Sequence, residues 1–154
     1  MANGQGQALA IPEVMSLGKV FADSGLFRDT KGEAQAVVKI LAGRELGLAP
    51  VYSMTHIYVV EGKVAIGAEV MGAVIKRSGR YDYAVKVLTN TECSLAFTDK
   101  GVEVFVSTFT MTDAKQANLV FPKGSWEKWP RAMLMSKALS QGSRIVCPNI
   151  ISGA

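Results

Sequence analysis

The stretch that decides the fold is residues 126–148, which read WEKWPRAMLMSKALSQGSRIVCP. Pro130 suits the first turn of a helix, whereas Pro148 cannot continue one, so the stretch predicts a closing helix over Pro130–Val146. On a period of 3.6 residues, the polar and basic side chains of this helix fall on one narrow face. The members of that face are Lys137, Ser140, Gln141 and Arg144.

This narrow face indicates contact with phosphate groups. Its ammonium, hydroxyl, amide and guanidinium groups extend over about 10 Å of helix. These are the groups that bind phosphate oxygens. We expect the rest of the helix to pack into the core through Met135, Ala138, Leu139, Gly142, Ile145 and Val146. A solvated helix face or a contact between subunits would explain the same pattern.

Two further basic clusters are candidates for phosphate contacts. The first ends a short predicted helix, where cations also interact favourably with the helix dipole; its members are Lys76, Arg77 and Arg80. The second includes Arg131 and interleaves cations with Trp126 and Trp129, which are the ingredients of a base-stacking platform. A tryptophan beside a helix start is more often a core or interface anchor, and we expect that role for both.

The first part of the chain predicts two helices. One begins near Pro12 and stops at Gly25, and the next begins with the capping-box pair Thr30 and Glu33 and stops at Gly47. We expect the first helix to bury Val14, Leu17, Val20 and Phe21. We expect the second helix to bury Ala34, Val37, Val38 and Leu41.

Alternation with a period of two predicts strands in the middle of the chain. Residues 56–60 and 64–66 flank a Glu-Gly-Lys turn and predict a hairpin. A short helix over residues 69–76 and three alternating runs between residues 81 and 109 follow, and the runs predict an antiparallel meander. The predicted fold class is α+β: a small antiparallel sheet, made of the hairpin plus the three-stranded meander, packed with N-terminal helices and a long C-terminal helix.

The composition indicates one cytoplasmic domain. With 154 residues, 49% of them hydrophobic, the chain can bury a core, and we expect a flexible tail over residues 1–10 and a single core domain over 11–154. No apolar run reaches the ~20 residues needed to cross a membrane, and the polar N-terminus is unlike a signal peptide. Cys93 and Cys147 are interpreted as small buried apolar side chains. The net charge of +4 only modestly favours a polyanionic partner.

The sequence contains no recognisable catalytic constellation. His56 is the only histidine and therefore lacks a partner for a metal site. No glycine-rich phosphate loop occurs, and the carboxylates do not pair at spacings that would hold two metal ions. We therefore expect no enzymatic activity, no metal and no cofactor.

Four segments, taken in order, resemble a known family. The first, Leu41–Pro50, ends in Gly-Leu-Ala-Pro; residues 55–63 begin Thr-His-Ile-Tyr; residues 66–81 begin Ile-Gly and end in Arg-Ser-Gly-Arg-Tyr. The fourth, residues 126–153, combines Trp, Pro-Arg-Ala-Met-Leu, Lys-Ala and Arg. Together these segments are similar to the RecT/Redβ family of phage single-strand DNA annealing proteins. The order of four segments is more specific than any one of them.

The resemblance implies a function in phage homologous recombination. Members bind single-stranded DNA, anneal complementary strands without ATP, and assemble into rings or helical filaments. The implied partners are single-stranded DNA, the annealed duplex intermediate and further copies of the chain, in the cytoplasm of a bacterial host. Matching positions imply DNA contacts at Lys137 and Arg144 and, less directly, at Arg131 and the cluster Lys76, Arg77 and Arg80.

One departure from the family and three rival functions stay open. Many members continue into a C-terminal region that contacts a phage exonuclease or the host single-strand-binding protein, whereas this chain ends at Ala154 by natural absence or by truncation. The main rival is a structural or assembly oligomer of a phage with no nucleic-acid activity. A small nuclease is disfavoured by the scattered carboxylates, and an RNA-binding module is the third alternative.

Overall fold

A computed structural model describes residues 9–151, and the chain divides into two compact units, Met1–Gly67 and Ala68–Ala154. The predicted tail falls mostly on residues 1–8, which lie outside the described residues. At the start of the described residues, Arg44 donates a hydrogen bond to the Leu9 carbonyl at 2.6 Å, and Ala10 occupies the position before α1, where its amide donates to the Glu13 carboxylate. The first unit contains α1 (Ile11–Ser24), α2 (Glu33–Glu45), α3 (Pro50–His56), β1 (Ile57–Val60) and β2 (Lys63–Ile66).

The core of the first unit lies between α1 and α2. Close approach of these helices requires Gly18, because a Cβ there would lie 2.6 Å from Val37 Cγ2. The buried apolar side chains of this cluster are Val14, Ala36, Ile40 and Met54. The predicted faces are partly wrong, because Val20, Ala34 and Val38 are exposed.

The buried face of α2 is shifted because it includes a lysine. Lys39 is completely buried, and its ammonium donates to both carboxylate oxygens of Asp29 at 3.0 Å and to Thr30 Oγ1 at 3.2 Å. The Asp29 carboxylate also accepts a hydrogen bond from the Val59 amide. Thr30 therefore does not cap α2 as predicted, and Gly32 occupies the cap position. This cluster ties the α1–α2 loop to α2 and to β1.

The hairpin is confirmed, but a helix precedes it that the sequence pattern missed. Pro50 occupies the first turn of α3, and the helix extends to His56, whose ring stacks on Tyr52 at a centroid distance of 3.8 Å. β1 and β2 pair antiparallel through a two-residue turn. Both turn residues, Glu61 and Gly62, have positive φ, as a tight hairpin turn requires.

The second unit contains the meander and the long helix. Strands β3 (Tyr81–Leu88), β4 (Glu92–Asp99) and β5 (Val102–Thr110) pair antiparallel in the order β3-β4-β5. The fold class is therefore α+β, as predicted. The helices of this unit are α4 (Ala68–Arg77), α5 (Met111–Gln116), α6 (Ser125–Lys128), α7 (Pro130–Val146) and α8 (Pro148–Ile151).

The core of the second unit lies where α7 packs on β4 and β5. Gly142 is the closest point of this contact, because a Cβ on it would overlap the Phe97 ring and lie 2.9 Å from Ser107 Cβ. Ser107 is also buried and donates a hydrogen bond to the Ala138 carbonyl at 2.6 Å. Most of the predicted core face of α7 is confirmed, but Ile145 is 60% exposed. The other buried members of the core include Cys93, Leu95, Trp126, Leu134, Leu139 and Cys147.

Within residues 9–151, no helix is long and apolar enough to cross a membrane. Both cysteines are free thiols, and burial raises the pKa of Cys93 and Cys147. Their interpretation as small buried apolar side chains is confirmed.

Replacement of Gly142 by alanine is expected to destabilise the protein by about 1–3 kcal/mol, because the new methyl group overpacks the contact with Phe97. This cost opposes the gain of up to ~1 kcal/mol that alanine brings to a helix. Urea unfolding followed by circular dichroism measures the change. As a control, Ala132→Ser on the exposed side of α7 should stay within about 0.5 kcal/mol of the unmodified protein. Unchanged or increased stability of Gly142→Ala would contradict the packing described here.

Replacement of Asp29 by asparagine is expected to destabilise the protein by about 2 kcal/mol at neutral pH, because it leaves the buried Lys39 ammonium without a counter-charge. The figure lies below that for a fully buried pair, since the Asp29 side chain is 34% exposed. The control Asp23→Asn, at an exposed position, should have little effect.

The effect of this substitution should depend on pH. Burial raises the pKa of Asp29, but hydrogen bonds from Lys39 and from the Val59 amide outweigh it, so that the pKa lies below its usual value of 3.8. The ionised carboxylate therefore contributes its full stability above pH 3.8, and that contribution is lost as the pH falls through the lower pKa of the folded state. The stability difference between the unmodified protein and Asp29→Asn, measured by urea unfolding, should shrink below that pH. A stability difference that does not change with pH would show that it does not arise from the ionised Asp29 carboxylate.

Candidate nucleic-acid interface

The exposed face of α7 presents two cations. Lys137 and Arg144 are both exposed, and neither side chain forms a hydrogen bond or ion pair within the part of the chain that the structure describes. They stand two turns apart, which is about 10 Å along the helix. The sequence contains no Asp or Glu from Lys128 to its end, so no carboxylate of α7 itself neutralises them.

The two polar members of the predicted face are used inside the protein. The Gln141 amide donates to Ser107 Oγ at 3.0 Å and to the Thr108 carbonyl at 2.9 Å, so it fastens α7 to β5. Ser140 is half-buried and donates to the Lys137 carbonyl of its own helix at 3.3 Å. The structure therefore leaves the two cations, rather than all four groups, available to a ligand.

Arg131 lies at the start of the same helix. Its guanidinium donates to Asn90 Oδ1 at 3.2 Å, which holds it at the turn between β3 and β4. The side chain is exposed and has no acidic partner in residues 9–151. A basic group therefore also stands near the N-terminal end of α7, on the same unit as Lys137 and Arg144.

The cluster at the end of α4 is largely paired with carboxylates. The Lys76 ammonium lies 2.5 Å from Asp82 Oδ1, donates to the Tyr83 carbonyl and lies 4.4 Å from the centroid of the Tyr83 ring. Arg80 binds both carboxylate oxygens of Asp99, at 2.8 and 3.0 Å. These pairs lower the pKa of Asp82 and of Asp99 through hydrogen bonds from Lys76 and Arg80, respectively. Arg77, the third member, is exposed in the last turn of α4.

Two of the predicted basic residues, Arg131 and Arg80, lie far apart along the three-stranded sheet. Arg131 lies at the β3–β4 turn, whereas Arg80 pairs with Asp99, the last residue of β4, at the opposite end of the sheet. The eight residues of β4 separate these two ends by about 25 Å. The helix α7, with 17 residues and a length of about 25 Å, runs along β4 and β5 on one face of that sheet.

The two tryptophans have opposite environments. Trp126 is 5% exposed and packs against Phe109 at a ring-centroid distance of 5.9 Å, so the expected core role is confirmed for it. Trp129 is 68% exposed, so a core role is wrong for it, and a role as an interface anchor stays a prediction. The sequence pattern could not distinguish the two environments, because both tryptophans lie within the four residues before Pro130.

The net positive charge belongs to the second unit. Residues 68–154 contain eleven Lys and Arg against seven Asp and Glu, whereas residues 1–67 contain six of each. The whole charge of +4 therefore falls on the unit that contains α7. Within residues 9–151, no group of three or more His, Cys, Asp or Glu side chains is placed to hold a metal ion.

Comparisons with known proteins assign no family to this chain. No protein-family model matches it, and no curated protein does either.

Proposed function

We propose that this protein binds single-stranded DNA and anneals complementary strands without ATP, acting as an oligomer in the cytoplasm of a bacterial host. The observation that carries the proposal is the exposed face of α7, on which Lys137 and Arg144 have neither a carboxylate partner nor a hydrogen bond within residues 9–151. Unpartnered cations on a rigid helix suit phosphate oxygens, which accept hydrogen bonds from ammonium and guanidinium groups. The four sequence segments that resemble the RecT/Redβ family support single-stranded DNA as the ligand.

The two cations of α7 are better candidates for phosphate contacts than the cluster at the end of α4. A phosphate that binds Lys137 or Arg144 displaces only water. A phosphate that binds Lys76 or Arg80 must compete with Asp82 or Asp99, which already neutralise those cations. We therefore assign the main phosphate contacts to α7 and a secondary, salt-sensitive contribution to Lys76, Arg77 and Arg80.

Contacts with the backbone account for annealing without sequence preference. Cations that hold phosphates read no bases, so the edges of the bases stay free to test a second strand. Two main contacts give one protomer little affinity, and neighbouring protomers on the same strand add theirs, so that binding is cooperative. Annealing of this kind consumes no ATP, because correct pairing of the two strands supplies the driving force. A phage exonuclease and the host single-strand-binding protein are further proposed partners.

The assignment of the phosphate contacts can be tested with charge-matched variants. Lys137→Gln combined with Arg144→Gln should weaken binding of a labelled oligonucleotide about thirtyfold, since two exposed contacts of about 1 kcal/mol each add to about 2 kcal/mol. The slope of log affinity against log salt should fall by about 1.4, which is the loss expected for two single-strand phosphate contacts. The control pair Lys19→Gln and Lys63→Gln removes the same charge from exposed positions of the neutral unit. Equal weakening by both pairs would reject a specific role for α7.

Annealing itself is the second test. The protein should accelerate pairing of complementary oligonucleotides equally with and without ATP, and the α7 double variant should lose most of that acceleration. Electron microscopy should show rings or filaments that lengthen on single-stranded DNA. Oligomers that form without any DNA binding would instead favour a structural assembly protein. Preferential binding of single-stranded RNA in a competition assay would favour the RNA-binding alternative.

A further inference from the structure

The indole of Trp129 is largely exposed. Its side chain forms no ring contact and no hydrogen bond within residues 9–151, whereas its backbone amide donates to the Ser125 carbonyl and its carbonyl accepts from the Met133 amide. The neighbouring Trp126 already anchors this part of the chain in the core. A large flat side chain at 68% exposure offers one face or both to a planar ligand.

Trp129 stands at the N-terminal end of the helix that carries the two cations. It occupies the position immediately before the first turn of α7. The positions 133, 137, 140 and 144 recur at intervals of four, three and four residues, which places them along one side of the helix. Met133 and Ser140 are half-buried on this side, and Lys137 and Arg144 are exposed. The line from Trp129 to Arg144 is about 22 Å long, enough for several nucleotides.

The groups around Trp129 fit an oligonucleotide. Lys128 precedes it and Arg131 follows two residues later, both exposed, so a base on the indole would have cations near its phosphates. The nearest acidic side chain in the sequence, Glu127, accepts a hydrogen bond from the Lys123 amide. Aromatic rings flanked by cations are how sequence-tolerant single-strand sites bind unpaired bases.

We propose that Trp129 is a stacking site for one unpaired nucleobase of the strand whose phosphates Lys137 and Arg144 bind. The proposal rests on the proposed function, because it needs a single strand along α7. In a duplex both faces of a base are covered by the neighbouring base pairs, so a contact that needs one free face favours single-stranded over duplex DNA. Stacking on an indole accepts any base, which keeps binding independent of sequence. Trp129 thereby adds selectivity for unpaired strands that phosphate contacts alone do not provide.

The experiment uses the fact that the chain has only two tryptophans. In Trp126→Phe, Trp129 is the sole tryptophan, and its fluorescence is titrated with oligo-dT and with an abasic oligonucleotide of the same length. We expect oligo-dT to quench the emission and the abasic strand to leave it nearly unchanged. If Trp126→Phe does not fold, the unmodified protein and Trp129→Phe give the same comparison, since the buried Trp126 remaining in Trp129→Phe should not be quenched.

Binding of the same two oligonucleotides, followed by fluorescence anisotropy of a 5′ dye, gives the second readout. Trp129→Ala should weaken oligo-dT binding roughly tenfold, within the range reported for loss of one stacked base, and leave binding of the abasic strand unchanged. Trp129→Phe should recover part of the loss. The control Phe121→Ala removes another exposed aromatic side chain, 62% exposed before α6, and should leave oligo-dT binding near that of the unmodified protein.

The outcomes separate this proposal from the proposed function. Binding of oligo-dT and the abasic strand with equal affinity, unchanged in Trp129→Ala, would overturn the stacking site and leave the proposed function standing. Failure of the unmodified protein to bind either oligonucleotide would overturn the proposed function, and the stacking site with it. Quenching by oligo-dT together with a selective loss in Trp129→Ala would support both.

Discussion

The second unit depends on the close contact between α7 and the strands β4 and β5. Gly142 lets the helix backbone reach the Phe97 ring, and the buried Ser107 hydroxyl bonds the Ala138 carbonyl one turn away. Gln141 adds two hydrogen bonds from the helix to β5. Because interiors are closely packed, these contacts fix the rotation of the helix about its own axis. That rotation is what leaves Lys137 and Arg144 exposed.

Burial and nearby carboxylates decide which cations of the chain are structural and which are available to a ligand. Lys39 is buried, so its ammonium must be compensated, and Asp29 and Thr30 do so. Lys76 and Arg80 are exposed but have carboxylates within reach. Lys137 and Arg144 belong to a helix without any acidic residue. A polyanion therefore meets the least competition along α7, on the unit that holds the whole net charge.

The edges of the meander illustrate how one contact can serve both the fold and the site. Lys76 donates to the Tyr83 carbonyl on β3, and Gln141 donates to the Thr108 carbonyl on β5, so each outer strand has a backbone acceptor occupied by a helix side chain. Outer strands with unsatisfied backbone groups invite pairing with other chains. Two of the side chains that the sequence pattern assigned to DNA, Lys76 and Gln141, are thus hydrogen-bonded to backbone carbonyls of the outer strands.

The sequence by itself determined the class of the fold and the bounds of its longest element. Pro130 and Pro148 delimit α7, period-two alternation locates the meander, and the Glu-Gly turn locates the hairpin, because each signal acts over a few neighbouring residues. Short helices such as α3 were missed, since seven residues are too few to show a period. The face of α2 was partly misassigned, because a buried ion pair at Lys39 cannot be told from a surface lysine without its partner.

Only the tertiary structure decided which polar side chains are free and which tryptophan is buried. Trp126 and Trp129 have the same local pattern, and packing against Phe109 separates them. Gln141 and Lys137 share a face of one helix. Gln141 is hydrogen-bonded to the neighbouring strand β5, whereas Lys137 stays exposed. The physical reason is that helical periodicity fixes which side chains are neighbours, whereas their availability to a ligand depends on groups that are distant in sequence.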